Sequence, residues 1–168
     1  MGNKALGDDG DKEILLEQII RAREKFGIDI IAYSIASNHY HLFAHCDSSA
    51  QMTKTLQGIN GASSRFINLR NNRNGSIWFA ASKHSCVVQG REEYFKVLAY
   101  IIGNPLKHGL ARDFIELANY KYCSYNEAVK EYGKEMADNL IMQNQKFDFE
   151  TPEAWIRLHQ SLKNGFAD

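Results

Sequence analysis

The chain has 168 residues, 44% hydrophobic, 11% aromatic and 24% charged, which suffices for one cored domain and argues against disorder. No apolar run reaches the ~18 residues of a membrane span, and the opening Met1-Gly2-Asn3-Lys4 lacks the apolar core of an export signal. Twenty basic side chains balance twenty acidic ones, and three widely spaced cysteines (Cys46, Cys86, Cys123) suit reduced thiols in a cytoplasmic protein better than a disulfide frame or a zinc knot.

In chain order, Asp8-Asp9-Gly10-Asp11 places carboxylates where a helix N-terminus favours them. The helix then runs to about Phe26, with Leu15, Ile19, Ala22 and Phe26 on one side and Gly27 as its stop. Ile28 to Ala36 is rich in β-branched residues and predicts a buried strand; Ser37-Asn38 is a turn, and His39 to His45 alternates as the second strand of a hairpin. Met52, Leu56, Ile59, Phe66 and Leu69 predict an amphipathic helix that ends in the polar loop Asn71 to Gly75. Ser76–Ala81 and Ser85–Val88 suggest a further hairpin. A third helix spans Glu92 to about Ile102, stopped by Asn104-Pro105 because the residue before proline avoids helical angles. After an irregular stretch to Tyr125, a helix covers roughly Asn126–Met142, and Thr151-Pro152 caps a last helix to Lys163. The order predicts an α+β fold, an antiparallel sheet with helices on one face.

The zero net charge is a cancellation. No acidic residue lies between Asp47 and Glu92, and residues 51–110 hold eight basic against two acidic side chains, so this segment carries +6 and the remainder −6. Such one-sidedness is expected of a surface that faces a polyanion; chance clustering of surface charge is the plain alternative.

Alternate residues of a strand share a face, so His39 and His41 project together and could grip one metal ion. His45 has the same parity but lies roughly 13 Å along the strand, too far for the same ion. The plain alternative is two polar residues on a solvated strand face. On the third helix Lys96, Tyr100 and Asn104 form a column at four-residue spacing, beside Phe95, Leu98, Ala99 and Ile102. Tyr100 could be a nucleophile beside a ligating carboxamide, or a boundary residue beside a helix cap.

Three segments, in order and in register, carry a resemblance. Tyr33-Ser34-Ile35-Ala36-Ser37-Asn38-His39-Tyr40-His41-Leu42 is similar to the Y-x-x-M-P-N-H-x-H-L signature of HUH single-tyrosine transposases, the insertion sequence 200-like superfamily. Tyr100-Ile101-Ile102-Gly103-Asn104-Pro105-Leu106-Lys107-His108-Gly109-Leu110 resembles that family's Y-I-x-x-N-P-x-x-x-G-L, in the form found in REP-associated tyrosine transposases. Tyr120-Lys121-Tyr122-Cys123-Ser124-Tyr125 resembles the Y-x-x-S-S-Y that follows. The likeness covers roughly residues 2–126, which implies a catalytic domain at 1–126 and a C-terminal helical extension at 127–168.

The resemblance implies a ferredoxin-like antiparallel sheet with the His pair on a central strand. It implies Mg²⁺ or Mn²⁺ held by His39, His41 and Asn104, with substrate phosphate completing the shell, since magnesium prefers oxygen donors. It implies that Tyr100 attacks a DNA phosphate to give a covalent 5′-phosphotyrosine and a 3′-hydroxyl, with rejoining by the reverse step. Tyrosine's reference pKa is about 10, so a nearby cation is needed; Lys96 is a candidate for that, or for a phosphate contact. Arg65, Arg70, Arg73 and Lys83 would track single-stranded or hairpin DNA, with Phe66, Trp78 and Phe79 as stacking platforms, although Phe66 on the apolar stripe also suits a core. The alternative function is a truncated or domesticated protein that binds DNA hairpins without cutting; a weaker one is an unrelated metal-binding α+β protein with a structural Tyr100.

The sequence departs from the pattern in three places. The family's Met-Pro is Ala36-Ser37, its Arg-aromatic pair is replaced around Ala81-Ser82-Lys83, and Met1–Lys4 match only the tail of its first strand, Y-H-V-x-x-R-G-N-N. A missing first strand would leave unpaired edges, to be filled by another strand or by a second chain in a homodimer.

Overall fold

The computed structural model describes residues 6–78 and 87–144. Helix α1 (Asp9–Phe26) starts where the Asp8 carboxylate accepts from the Asp11 N–H at 3.1 Å and stops at Gly27, whose φ of 65° places it in the left-handed region. Strands β1 (Asp29–Ile35) and β2 (Tyr40–His45) form the predicted antiparallel hairpin, with Ser34 opposite His41 and Ile35 opposite Tyr40. His39 sits one residue before β2, its carbonyl closing the turn with the Ala36 N–H at 2.9 Å. Helix α2 is Ser49–Asn71 and α3 is Arg91–Lys107, followed by α4 (Phe114–Asn119), α5 (Tyr125–Tyr132) and α6 (Lys134–Asn144). The class is mixed α+β with an antiparallel sheet, as expected.

The pairing register shifts between Ile30 and Ala32. This bulge sends Ile31 and Ala32 toward one side of the hairpin and Ile30, Tyr33 and Ile35 toward the other. On one side α1 and α2 pack with Leu15, Ile19, Ile59 and Ile67; on the other α3 packs with Leu98 and Ile102. Ala128, Ala137 and Ile141, from α5 and α6, belong to the same core as α3.

Three expectations need correction. First, α3 continues through Asn104-Pro105 to Lys107. Proline removes the N–H that would bond the Ile101 carbonyl; the Cys123 thiol faces the carbonyls of Ile101 (3.9 Å) and Ile102 (3.4 Å), and the Pro105 carbonyl accepts from the N–H groups of Leu110 (2.8 Å) and Ala111 (3.1 Å). Second, the helix expected over 126–142 is two helices, α5 and α6, broken at Gly133 with φ 86°, and the stretch before Tyr125 contains α4. Third, α2 buries Thr55, Ile59, Ser63 and Ile67, leaving Phe66 and Leu69 42% and 66% exposed. Small side chains face α1 here: a Cβ on Gly58 would lie 2.3 Å from Phe26 Cζ. The face so chosen keeps Ile59 and Ile67 inside and puts Phe66 and Leu69 outside. Most of the second hairpin, with Phe79 and Lys83, and the helix at 152–163 lie outside the described residues.

Beside β2, β1 has a second partner. Ser34 bridges to Cys123, with Ile35 N–H donating to the Tyr122 carbonyl at 2.9 Å and Ser124 N–H to the Tyr33 carbonyl at 3.0 Å. The Ser124 hydroxyl accepts from Tyr33 N–H at 2.9 Å, and the Tyr120 hydroxyl donates to the Ile35 carbonyl at 2.7 Å. The segment after α4 thus covers the C-terminal half of this edge.

Asp11 is a buried carboxylate on α1 that joins three segments. It accepts from Gly7 N–H at 2.7 Å, Arg70 Nη1 at 2.8 Å and Asn71 Nδ2 at 2.8 Å. Arg70 also makes two bonds to Asp8, at 2.8 and 2.9 Å, which lower the Asp8 pKa. Replacing Asp11 removes the acceptor shared by Gly7, Arg70 and Asn71, leaving Arg70 to its bonds with Asp8. Asp11→Ala is therefore expected to lower the unfolding free energy by about 1.5–3 kcal/mol in urea titrations, and Asp8→Ala by less; equal losses would mean that Asp11 is not the hub.

Candidate active site

The pleat that turns Tyr40 and Leu42 toward the α1 side turns His41 toward α3. There the His41 and Tyr100 rings meet edge-to-face, with centroids 5.1 Å apart. His39 meets His41 edge-on, with centroids 4.9 Å apart, and His108 meets His39 in the same way at 5.1 Å. Four aromatic rings from the hairpin and α3 thus form one row. His39 Nδ1 lies 2.7 Å from Asn38 Oδ1; when Nδ1 donates that bond, Nε2 carries the lone pair.

His41 is held neutral. Burial, followed by the charges of His39, His108 and Lys107, pulls its pKa from the ordinary 6.5 down to about 3. Neutral imidazole is the form that ligates metals. His41 Nε2 and both amide atoms of the fully buried Asn104 have no hydrogen-bond partner among the described residues. Buried polar atoms left in this state cost about 1–3 kcal/mol each, a cost that a bound ligand would relieve. Imidazole nitrogens and a carboxamide oxygen fit a divalent cation that completes its shell with other oxygens. No group of three or more His, Cys, Asp or Glu side chains among the described residues is arranged to hold a metal; the set expected from the sequence has only two such residues, with an amide as the third.

Tyr100 is 6% exposed. The cation at its ring is Lys107, whose Nζ lies 5.1 Å from the ring centroid. Lys96, one turn before Tyr100, forms an ion pair with Glu92 on the same helix. Lys107 and His108 carry no assignment from sequence. They continue the column that starts at Tyr100 and Asn104, a signal hidden by ending the helix at Pro105.

The basic residues divide. Arg70 is engaged with Asp8 and Asp11, and Arg73 Nη2 lies 3.9 Å from Asp11 Oδ2. Exposed Arg65 and Arg73 line a shallow basin of about 450 Å³ at the C-terminal end of α2, with Asn68, Leu69 and Asn72. Phe66, expected in the core, is exposed nearby in sequence. Trp78 is tied down, its Nε1 donating to Ser63 Oγ at 2.9 Å and its ring 5.4 Å from that of Tyr40.

Among the described residues no helix is long and apolar enough to cross a membrane. No curated protein and no solved structure matches the chain. The family model described as "Transposase IS200 like" matches residues 3–104, from before α1 to Asn104 on α3. That span is more than half of the sequence, and it takes in both histidines, the tyrosine and the carboxamide gathered above: the chain belongs to the IS200-like transposase family.

Proposed function

We propose that the chain is a REP-associated-type tyrosine transposase that nicks and rejoins single-stranded or hairpin DNA. The observation that carries this reading is the contact of His41 with Tyr100 beside buried, unpartnered donor atoms on His41 and Asn104. A structural tyrosine would have no use for such donors at its side.

His39, His41 and Asn104 would hold a divalent cation, Mg²⁺ or Mn²⁺, whose chemistry there is polarisation of a phosphoryl oxygen. Tyr100 Oη attacks the phosphorus of a phosphodiester. A tyrosyl O–P bond forms as the phenol gives up its proton, the P–O3′ bond breaks, and the 3′-oxygen leaves as a hydroxyl after taking up a proton, so none is gained or lost overall. Attack by another 3′-hydroxyl on the same phosphorus reverses the step and joins strands without a nucleotide cofactor. Lys107, beside the Tyr100 ring, supplies positive charge to this region. Arg65 and Arg73 contact backbone phosphates from the α2 basin, and exposed Phe66 offers a face for a base. Arg70 keeps that basin in place through Asp8 and Asp11.

The test is a labelled hairpin oligonucleotide incubated with Mg²⁺ or Mn²⁺ and resolved on denaturing gels. The intact chain should yield a covalent adduct that Tyr100→Phe reduces roughly 10³-fold or more; an adduct persisting in Tyr100→Phe would sink the assignment of the nucleophile. Chelation should abolish the adduct, and His39→Ala or His41→Ala should lower it at least about 100-fold, with partial recovery at high Mn²⁺. Binding by the intact chain without any cleavage would favour the hairpin-binding alternative.

A second measurement addresses the basin. Arg65→Ala with Arg73→Ala should weaken single-strand binding and reduce the slope of log K against log salt by about 1.4, or ~0.7 for each phosphate that the protein no longer neutralises. An unchanged slope would place the DNA elsewhere.

A further inference from the structure

Tyr100 stands at the rim of a pocket that none of these steps uses. The pocket lies between α3 and α6 and has a volume of about 280 Å³. Ala99, Gly103 and Ile141 form its apolar wall, while Tyr100, Lys107 and Asn144 supply its polar groups. Gly103 is what allows α6 this close: a Cβ there would lie 2.9 Å from Ile141 Cγ2.

We propose that this pocket takes one unpaired nucleobase, the one next to the phosphate that Tyr100 attacks. The inference rests on Tyr100 being the nucleophile. Three features select the occupant. The volume falls just below the ~300–1,000 Å³ of sites for drug-sized ligands, which suits one flat ring system. The aliphatic wall removes ring faces from water, and Asn144 meets a polar edge. Its Nδ2 donates to the Leu140 carbonyl at 2.8 Å, which turns Oδ1 to the accepting role and favours an edge that carries N–H donors. Finally, the Lys107 ammonium stands 5.1 Å from the Tyr100 ring centroid, where one cation serves both the tyrosine and a phosphate attached to the seated nucleotide. A base within a duplex is stacked and paired, so it enters such a pocket only from a single strand or after leaving the stack. The pocket therefore selects unpaired DNA by shape, before any sequence is read.

Binding, which needs no chemistry at Tyr100, tests the proposal. The ¹⁵N-labelled full chain is titrated with single-stranded homo-oligonucleotides of the four bases, with an abasic strand of equal length, and with the four free deoxynucleoside 5′-monophosphates. At least one base-bearing strand should shift the amide signals of Ala99 and Gly103, whereas the abasic strand should leave those two unmoved and shift only phosphate contacts such as Lys107. Asn144→Trp, at the end of α6, should block the pocket and weaken that strand roughly tenfold or more, while Asn144→Ala should weaken it less. Absence of shifts at Ala99 and Gly103, or shifts indifferent to Asn144→Trp, overturns the proposal. Tighter binding of a free monophosphate than of the strand also overturns it, making this a nucleotide site unconnected with DNA. A lost adduct in the gel assay with these shifts intact would count against the nucleophile; a normal adduct without them would count against the pocket.

Discussion

The pairing of Tyr122–Ser124 with the outer edge of β1 is the constraint on which the site depends. It lies beyond α3 in the chain but on the hairpin in space, so α3 is caught between two segments joined by backbone hydrogen bonds. Cys123 lies in the strand-like bridge and donates its thiol to the α3 carbonyl of Ile102. One residue therefore links the hairpin that carries His41 to the helix that carries Tyr100. The distance between the two rings is thus set by backbone geometry on both sides, which the proposed chemistry requires.

The site keeps its polarity at a cost to the fold. Asn104 lies on the buried side of α3, fully enclosed, and its amide finds no hydrogen-bond partner among the described residues. A leucine would fill similar space without that penalty. His41 is likewise desolvated to the point where protonation is suppressed. Groups kept dry and unpaired in this way are preorganised, since little solvent has to be displaced from them when a ligand arrives. The Asp11 hub near the start of α1 is the opposite case, a buried charge with three hydrogen-bond donors, from Gly7, Arg70 and Asn71.

Local chemistry makes much of this legible in the sequence. The acidic start of α1, the Gly27 stop and the hairpin turn follow from residue type at fixed positions, and α3 begins within one residue of the expected Glu92. The His pair and the Tyr100–Asn104 column are visible for the same reason, because each needs only the period of its own element. What does not show depends on tertiary partners. The helix runs past Pro105 where a thiol some twenty residues away meets an α3 carbonyl, and a helix ended too early hides Lys107 and His108. The buried face of α2 is set by how closely Phe26 approaches Gly58, which no helical wheel of α2 contains. Net charge holds no hint that Arg70 is neutralised by Asp8 and Asp11, acidic residues some sixty positions earlier.

Cys123 gives the molecule a built-in chemical reporter. Burial pushes its thiol pKa up to about 12, so in the native state the reactive thiolate is scarce and inaccessible. Alkylation of Cys123 thus has to wait for the clamp to open, and when reclosing is fast its rate measures the open population. Cys46, half-buried just past β2 and outside the clamp, supplies the internal reference once Cys86 is replaced. The kinetics of two sulfurs then separate the breathing of the α3 clamp from the ordinary accessibility of the surface.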